Sequence, residues 1–236
     1  MDFLISGHTI SDELKRLAEF GNKPFIESLH PGIENILGIR IPDLRILAKE
    51  IARSDWPLYL SNAGSFYMEE RILQGLVLGY INPSMDVDAY LQRVTNFVHL
   101  INSWSVCDTF TFAGGKVWVK KNSERLWNYV TDWMNASREY EVRFGVVMAM
   151  KYFIDESHIN LLLDKLSKVN HNGYYVKMAV AWAISFCFVE FPERTFVYLQ
   201  KNDLDDFTFN KSIQKIIESN RIPFSVKQQV KILKRR

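Results

Sequence analysis

The sequence predicts an all-α protein: a HEAT-like solenoid of stacked helical hairpins, curved so that a basic concave face lines its inner side. Three observations predict it. Apolar residues from about residue 53 onward recur at helical spacing, with no period-two alternation. Turn signals (Asn82-Pro83, Asn172-Gly173, Pro192, Pro223) fall between the apolar stretches. Charged residues also open successive apolar stretches at a nearly constant interval: Arg71, Asp108, Arg143, Lys177 and Lys211 are 37, 35, 34 and 34 residues apart. A two-helix unit of roughly 35 to 45 residues is the HEAT period, near its short end. Such a unit cannot bury its apolar face alone and stacks on its neighbours, so residues 1–236 read as one repeat domain.

Taken in order, Ser11 is placed to cap a short helix over Ser11–Glu19, which has acids in its first turn and leucines at helical spacing. Gly21-Asn22-Lys23-Pro24 stops it, and His30-Pro31-Gly32 is a turn, so residues 25–37 are not one helix. Gly38 to Pro42 is an extended lead-in. Pro42 sits in the first turn of a helix to about Arg53, with Leu44, Leu47, Ala48 and Ile51 as its apolar stripe. Further helices are predicted at about 65–80, 86–101, 105–119, 123–134, 139–154, 157–169, 174–190, 193–201, 208–219 and 224–235. Residues 1–36 thus form a helical or irregular segment, 37–219 the repeats, and 220–236 a basic C-terminal helix.

Composition excludes several classes. Hydrophobic residues make up 47% and charged residues 24%, as in a soluble globular chain. No apolar run reaches the ~18 residues that span a membrane. Residues 1–10 lack the basic and apolar regions of a secretory signal. Cys107 and Cys187 sit in apolar runs without CxxC or Cys/His spacing, which reads as reduced core thiols in a cytoplasmic protein. The five histidines are scattered, and Gly114-Gly115-Lys116 lacks the spacing of a phosphate loop. No cofactor and no metal are expected.

The charged register carries the functional signal. Stacked second helices would bring the five residues into a column on the concave side, basic except for Asp108. Each charge taken alone is accounted for by capping or solvating its own helix end. Basic residues at four of the five positions favour a surface for a polyanion, as does the tail, where Lys211, Lys215, Arg221, Lys227, Lys231, Lys234, Arg235 and Arg236 face only Glu218. Asp108 lies four residues after Trp104, hence on the same helix face, in apolar surroundings. Such an acid is either a cap, half of a buried ion pair, or a working group.

A family resemblance rests on particular residues: Gly38-Ile39-Arg40-Ile41-Pro42-Asp43-Leu44-Arg45, Glu69-Glu70-Arg71, Ser103-Trp104-Ser105-Val106-Cys107-Asp108, Arg143 with Lys151-Tyr152, and Lys177 with Trp182. Together these resemble the AlkD-type DNA alkylation repair family over about residues 36–219. The resemblance implies a HEAT-like solenoid that grips alkylated double-stranded DNA as a monomer, nucleoid-associated in the cytoplasm. It also implies a glycosylase that releases cationic N3- and N7-alkylated purines without extruding the base. Asp108 would then be the catalytic carboxylate. Trp104 and Trp182 would be the aromatics against the damaged nucleotide, and Arg143 the residue holding its backbone. Lys151 and Lys177 would be supporting DNA contacts, joined from the charge pattern by Arg71, Lys211 and Lys215. The chain departs from the family over residues 25–35, where active members carry a DNA-facing tyrosine on an extra helix. Here there is no tyrosine and Pro31-Gly32 interrupts the segment. A DNA-binding relative without excision, one that lacks part of the N-terminal clamp, is the alternative. A protein–protein scaffold is the third reading.

Overall fold

Helices carry nearly all the regular structure, and the repeat shows in their packing. The computed structural model describes residues 3–5 and 7–235, divided into two units, Met1–Asn122 and Ser123–Arg236. In the first, a two-residue antiparallel pair, β1 (Leu4–Ile5) and β2 (His8–Thr9), leads into α1 (Ile10–Ala18) and α2 (Lys23–Leu29). There follow α3 (Ile41–Arg53), α4 (Trp56–Asn62), α5 (Met68–Tyr80), α6 (Val87–Val98), α7 (Trp104–Thr109) and α8 (Gly115–Lys121). The second unit holds α9 (Ser123–Trp133), α10 (Glu139–Tyr152), α11 (Ile159–Ser167), α12 (Tyr174–Glu190), α13 (Pro192–Gln200), α14 (Asp206–Glu218) and α15 (Phe224–Lys231).

In both units every second helix packs on the next: α3 on α5 on α7, and α10 on α12 on α14. The intervening helices lean on this stack, α4 on α3 and α6 on α5 in the first unit, α9 on α10 and α13 on α12 in the second. This is the helical-repeat architecture that the periodic charges predict. Inner helices must be apolar almost all round, and they are: Glu141 to Met150 of α10 are all buried. No helix among the described residues is long and apolar enough to cross a membrane. Cys107 and Cys187 are both buried, and burial pushes the Cys187 thiol up to about 12.

The differences from the sequence reading have local causes. Thr9, not Ser11, caps α1, its hydroxyl oxygen accepting the Asp12 N–H at 3.2 Å. The helix expected over 105–119 is two helices. Phe110 and Phe112 turn into the core, and Gly114 and Gly115 take positive φ (72° and 59°), which a continuing helix cannot accommodate. Helix α4, not anticipated, is capped by Asp55 on the Leu58 N–H at 3.1 Å and has Pro57 in its first turn.

The lead-in before α3 is held by one acid. Glu69, fully buried on α5, accepts the N–H groups of Leu37 (3.0 Å), Gly38 (2.7 Å) and Ile39 (3.3 Å). Gly38 also accepts the Asn22 N–H at 3.0 Å through its carbonyl, which ties the start of α2 to the same point. Its φ is +85°, and a Cβ there would lie 2.4 Å from the Lys23 Cα, so no other residue fits. The basic C-terminal segment folds back as α15. The guanidinium of Arg235 stacks over the Phe209 ring at 4.2 Å and donates to the carbonyls of Leu204 and Asn202, so its charge is spent internally. Arg236 lies outside the described residues.

Candidate functional site

Helix α7 is short for a reason that places its side chains. Ser103, buried, caps it by accepting the Val106 N–H at 3.4 Å, and the chain leaves the helix at Phe110 to reach the core. Trp104 and Asp108 lie one turn apart on it, both half-buried. Asp108 therefore closes its helix rather than opening it, unlike the other charges of the register, although its sequence spacing matches theirs. It is half-buried and already engaged in a contact of the fold.

Trp104 is clamped. Its indole N–H donates to the Leu29 carbonyl at 3.2 Å, and one ring face stacks on His30, centroids 4.6 Å apart and planes within 5°. His30 is itself buried. Its Nδ1 lies 2.8 Å from the Ile26 carbonyl, which can only accept, so Nδ1 carries a proton. In the neutral ring Nε2 then accepts the Ser105 hydroxyl, 2.7 Å away. The segment without a tyrosine thus still supplies an aromatic partner, from the C-terminal end of α2. In the sequence His30 belongs to the His30-Pro31-Gly32 turn signal, and it lies 75 residues from Ser105, so no local pattern announces the pairing. His30→Ala removes the stack and leaves Ser105 and the Ile26 carbonyl without partners, a cost of about 1–3 kcal/mol. The measurement is acrylamide quenching of indole emission, with Trp104→Phe identifying the responding residue. Quenching equal to that of the parent protein would refute the clamp.

In the second unit, Arg143 (α10), Lys177 (α12) and Lys211 (α14) lie in the first half of successive inner helices. They are not equivalent. Arg143 is only 6% exposed and donates through Nη1 to the Tyr175 carbonyl at 2.8 Å. Lys177 pairs with Asp205 at 3.2 Å. Burial raises the Asp205 pKa, but hydrogen bonds from Thr208 and the Lys177 ammonium outweigh it and hold the carboxyl below its usual range. Lys211 reaches the Gln214 side chain at 3.0 Å. Lys215, one turn further along α14, is half-buried. Its pKa is lowered, first by desolvation and further by Arg143 and Lys211, with Glu218 opposing, which puts both of those cations within electrostatic reach of Lys215. Lys151, in the last turn of α10, is half-buried and engaged in the fold. Trp182, on α12, lines a cleft together with Lys215 and meets Phe186 edge-on at 5.8 Å. In the first unit Arg71 is half-buried on α5, where burial lowers its pKa against the pull of Glu70.

Sequence reading missed an aromatic strip beside the lysines. Tyr140 stacks on Tyr175 at 5.6 Å, and Tyr174 meets Phe207 at 6.0 Å. The Lys177 and Lys211 ammonium groups lie over the Phe207 ring at 6.0 and 5.9 Å. The signal was present: Tyr140, Tyr174 and Phe207 each precede a register charge by three or four residues.

Cations graded from buried to half-buried, beside aromatic faces on stacked helices, suit a polyanion with flat groups. No curated protein matches the chain. A family model described as DNA alkylation repair enzyme matches residues 10–216, from the start of α1 into α14. That span takes in Trp104, Asp108 and every cation of the register, so the helical-repeat chain belongs to the DNA alkylation repair enzyme family, with a role in DNA alkylation repair and DNA as its substrate or partner.

Proposed function

We propose that the protein is a glycosylase that hydrolyses the N-glycosidic bond of cationic N3- and N7-alkylated purines in duplex DNA without extruding the base. One observation carries the reading: a carboxylate, Asp108, stands one helical turn from a tryptophan whose ring is fixed by stacking and a hydrogen bond. An alkylated purine already bears positive charge and leaves without a general acid. Bond cleavage then develops an oxocarbenium-like sugar. Asp108 stabilises that cation and orients the water that attacks C1′. The face of Trp104 turned away from His30 presents its negative quadrupole to the same charge. In the second unit Trp182 and the Arg143, Lys177, Lys211 and Lys215 set hold the phosphodiester backbone and read no sequence.

The test is mass-spectrometric detection of 7-methylguanine and 3-methyladenine freed from a methylated duplex. Release above spontaneous depurination is expected; release at the spontaneous rate overturns the proposal. A second reading, a DNA-binding relative without excision, draws on the burial of Arg143, whose Nη1 is committed to the Tyr175 carbonyl rather than open to a phosphate. Salt-dependent duplex binding without base release selects that one.

The backbone contacts are tested separately. Lys211→Glu lowers duplex affinity by roughly tenfold and flattens the slope of log K against log salt by about one. Lys177→Glu has the smaller effect, because Asp205 already neutralises that lysine. Anisotropy titrations at several salt concentrations measure both. Equal affinities for parent and Lys211→Glu protein would remove this surface from the interface.

A further inference from the structure

The C-terminal parts of α12 and α14 enclose a cleft of about 270 Å³ in the second unit, lined by Trp182, Ser185, Phe186, Lys215 and Arg221, among others. Trp182 and Phe186 meet edge-on and give it an apolar wall. Lys215 is the sole amine among its lining residues. The charged groups around it are Glu218 on its own helix, one turn away, Lys211 on the other side, and Arg143 from α10. Arg221, also in the lining, is paired with Glu190 of α12 at 2.6 Å.

This is a poor setting for a lysine whose task is only to neutralise phosphate. Such a lysine works best fully charged and solvated. Desolvation in the cleft, aided by Arg143 and Lys211 and opposed by Glu218, instead lowers the Lys215 pKa and eases loss of its proton. Once it has given up its proton, an amine in a cleft walled by Trp182 and Phe186 is equipped for addition to a carbonyl. Base excision produces a carbonyl of this kind: the abasic deoxyribose opens to an aldehyde at C1′.

We propose that Lys215 is an imine-forming nucleophile toward the C1′ aldehyde of an abasic deoxyribose seated in the Trp182 cleft, which gives the protein a lyase activity on abasic DNA. The inference rests on the reading of this chain as one that acts on DNA. The Lys215 Nζ lone pair adds to C1′, and water leaves to give the imine. A C2′ proton passes to solvent, its bonding pair forms the C2′–C3′ double bond, and the 3′-phosphate departs with the C3′–O pair. Hydrolysis of the conjugated imine by water returns the amine, so no oxidant or reductant is consumed.

The experiment offers the intact protein a duplex with one preformed abasic site, in the presence of borohydride, which reduces an imine to a stable secondary amine. A covalent protein–DNA adduct that maps to Lys215 is expected. Lys215→Arg and Lys215→Met, each checked for parental helicity, should lose about tenfold or more of the adduct. No adduct with the parent protein, an adduct mapping elsewhere, or an undiminished adduct in Lys215→Met would each overturn the proposal. The preformed abasic site makes the assay independent of base release. An adduct without 7-methylguanine release sinks the glycosylase reading alone, and release without an adduct sinks only this one.

Discussion

Asp108→Asn lowers release of 7-methylguanine by about 10²- to 10³-fold and leaves duplex affinity within about twofold of the parent. The magnitude follows from the charge. A full negative charge about 4 Å from a developing cation is worth roughly 4 kcal/mol at an effective dielectric near 20, which corresponds to about three decades of rate. Asparagine keeps the shape and a hydrogen-bonding oxygen, so substrate positioning survives while the charge does not. Binding is carried by cations elsewhere and should change little. A split of this kind, with rate lost and affinity kept, marks an interaction made in the transition state. Substrate choice is a second readout of the same chemistry. With no general acid assigned, uncharged damaged bases stay in place while cationic ones are released. Single-turnover release on a methylated duplex decides the matter, and unchanged excision by Asp108→Asn removes this carboxylate from the mechanism.

What was legible in the sequence is what repeats. The intervals between Arg143, Lys177 and Lys211 gave the stacked inner helices of the second unit, because stacking imposes a fixed chain length per hairpin. The same period hints at the Trp182 cleft, since Lys215 lies 33 residues beyond the tryptophan. Asp108 shows the limit of that logic. It keeps the spacing but ends its helix, because Phe110 and Phe112 are drawn into the core and Gly114 and Gly115 absorb the turn. Nor does the register disclose that the Arg143 side chain is buried and donates to the Tyr175 carbonyl. The partnerships of His30 with Trp104, and of Glu69 with residues 37–39, join positions that no local pattern relates. They follow from how α2 and α5 meet the rest of the first unit, a property of packing.

Glu69→Ala should be the most destabilising single change in the first unit, costing about 3–5 kcal/mol. The carboxylate is fully buried, and three backbone N–H groups converge on it, at 3.0, 2.7 and 3.3 Å. Hydrogen bonds to a charged acceptor contribute more than neutral ones, and truncation leaves buried donors without an acceptor. Glu69→Gln is only a partial remedy, because its amide NH2 would face N–H donors where the second oxygen stood. Gly38→Ala strikes the same junction from the backbone side, through positive φ and a collision with Lys23. The two changes disrupt one structure, so their combined cost should fall short of the sum. For a chain of this length 3–5 kcal/mol corresponds to a drop of roughly 6–20 °C in Tm. Hydrogen exchange should show the amides of residues 37–39 losing protection first. The effect should reach the candidate site as well. Gly38 accepts the Asn22 N–H, Asn22 caps α2, and α2 ends at the His30 that stacks on Trp104. Acrylamide quenching of Trp104 should therefore rise in Glu69→Ala under conditions where the protein is still folded. Quenching that stays at the parental level while Tm falls would show that the clamp on Trp104 stands independently of the Glu69 junction.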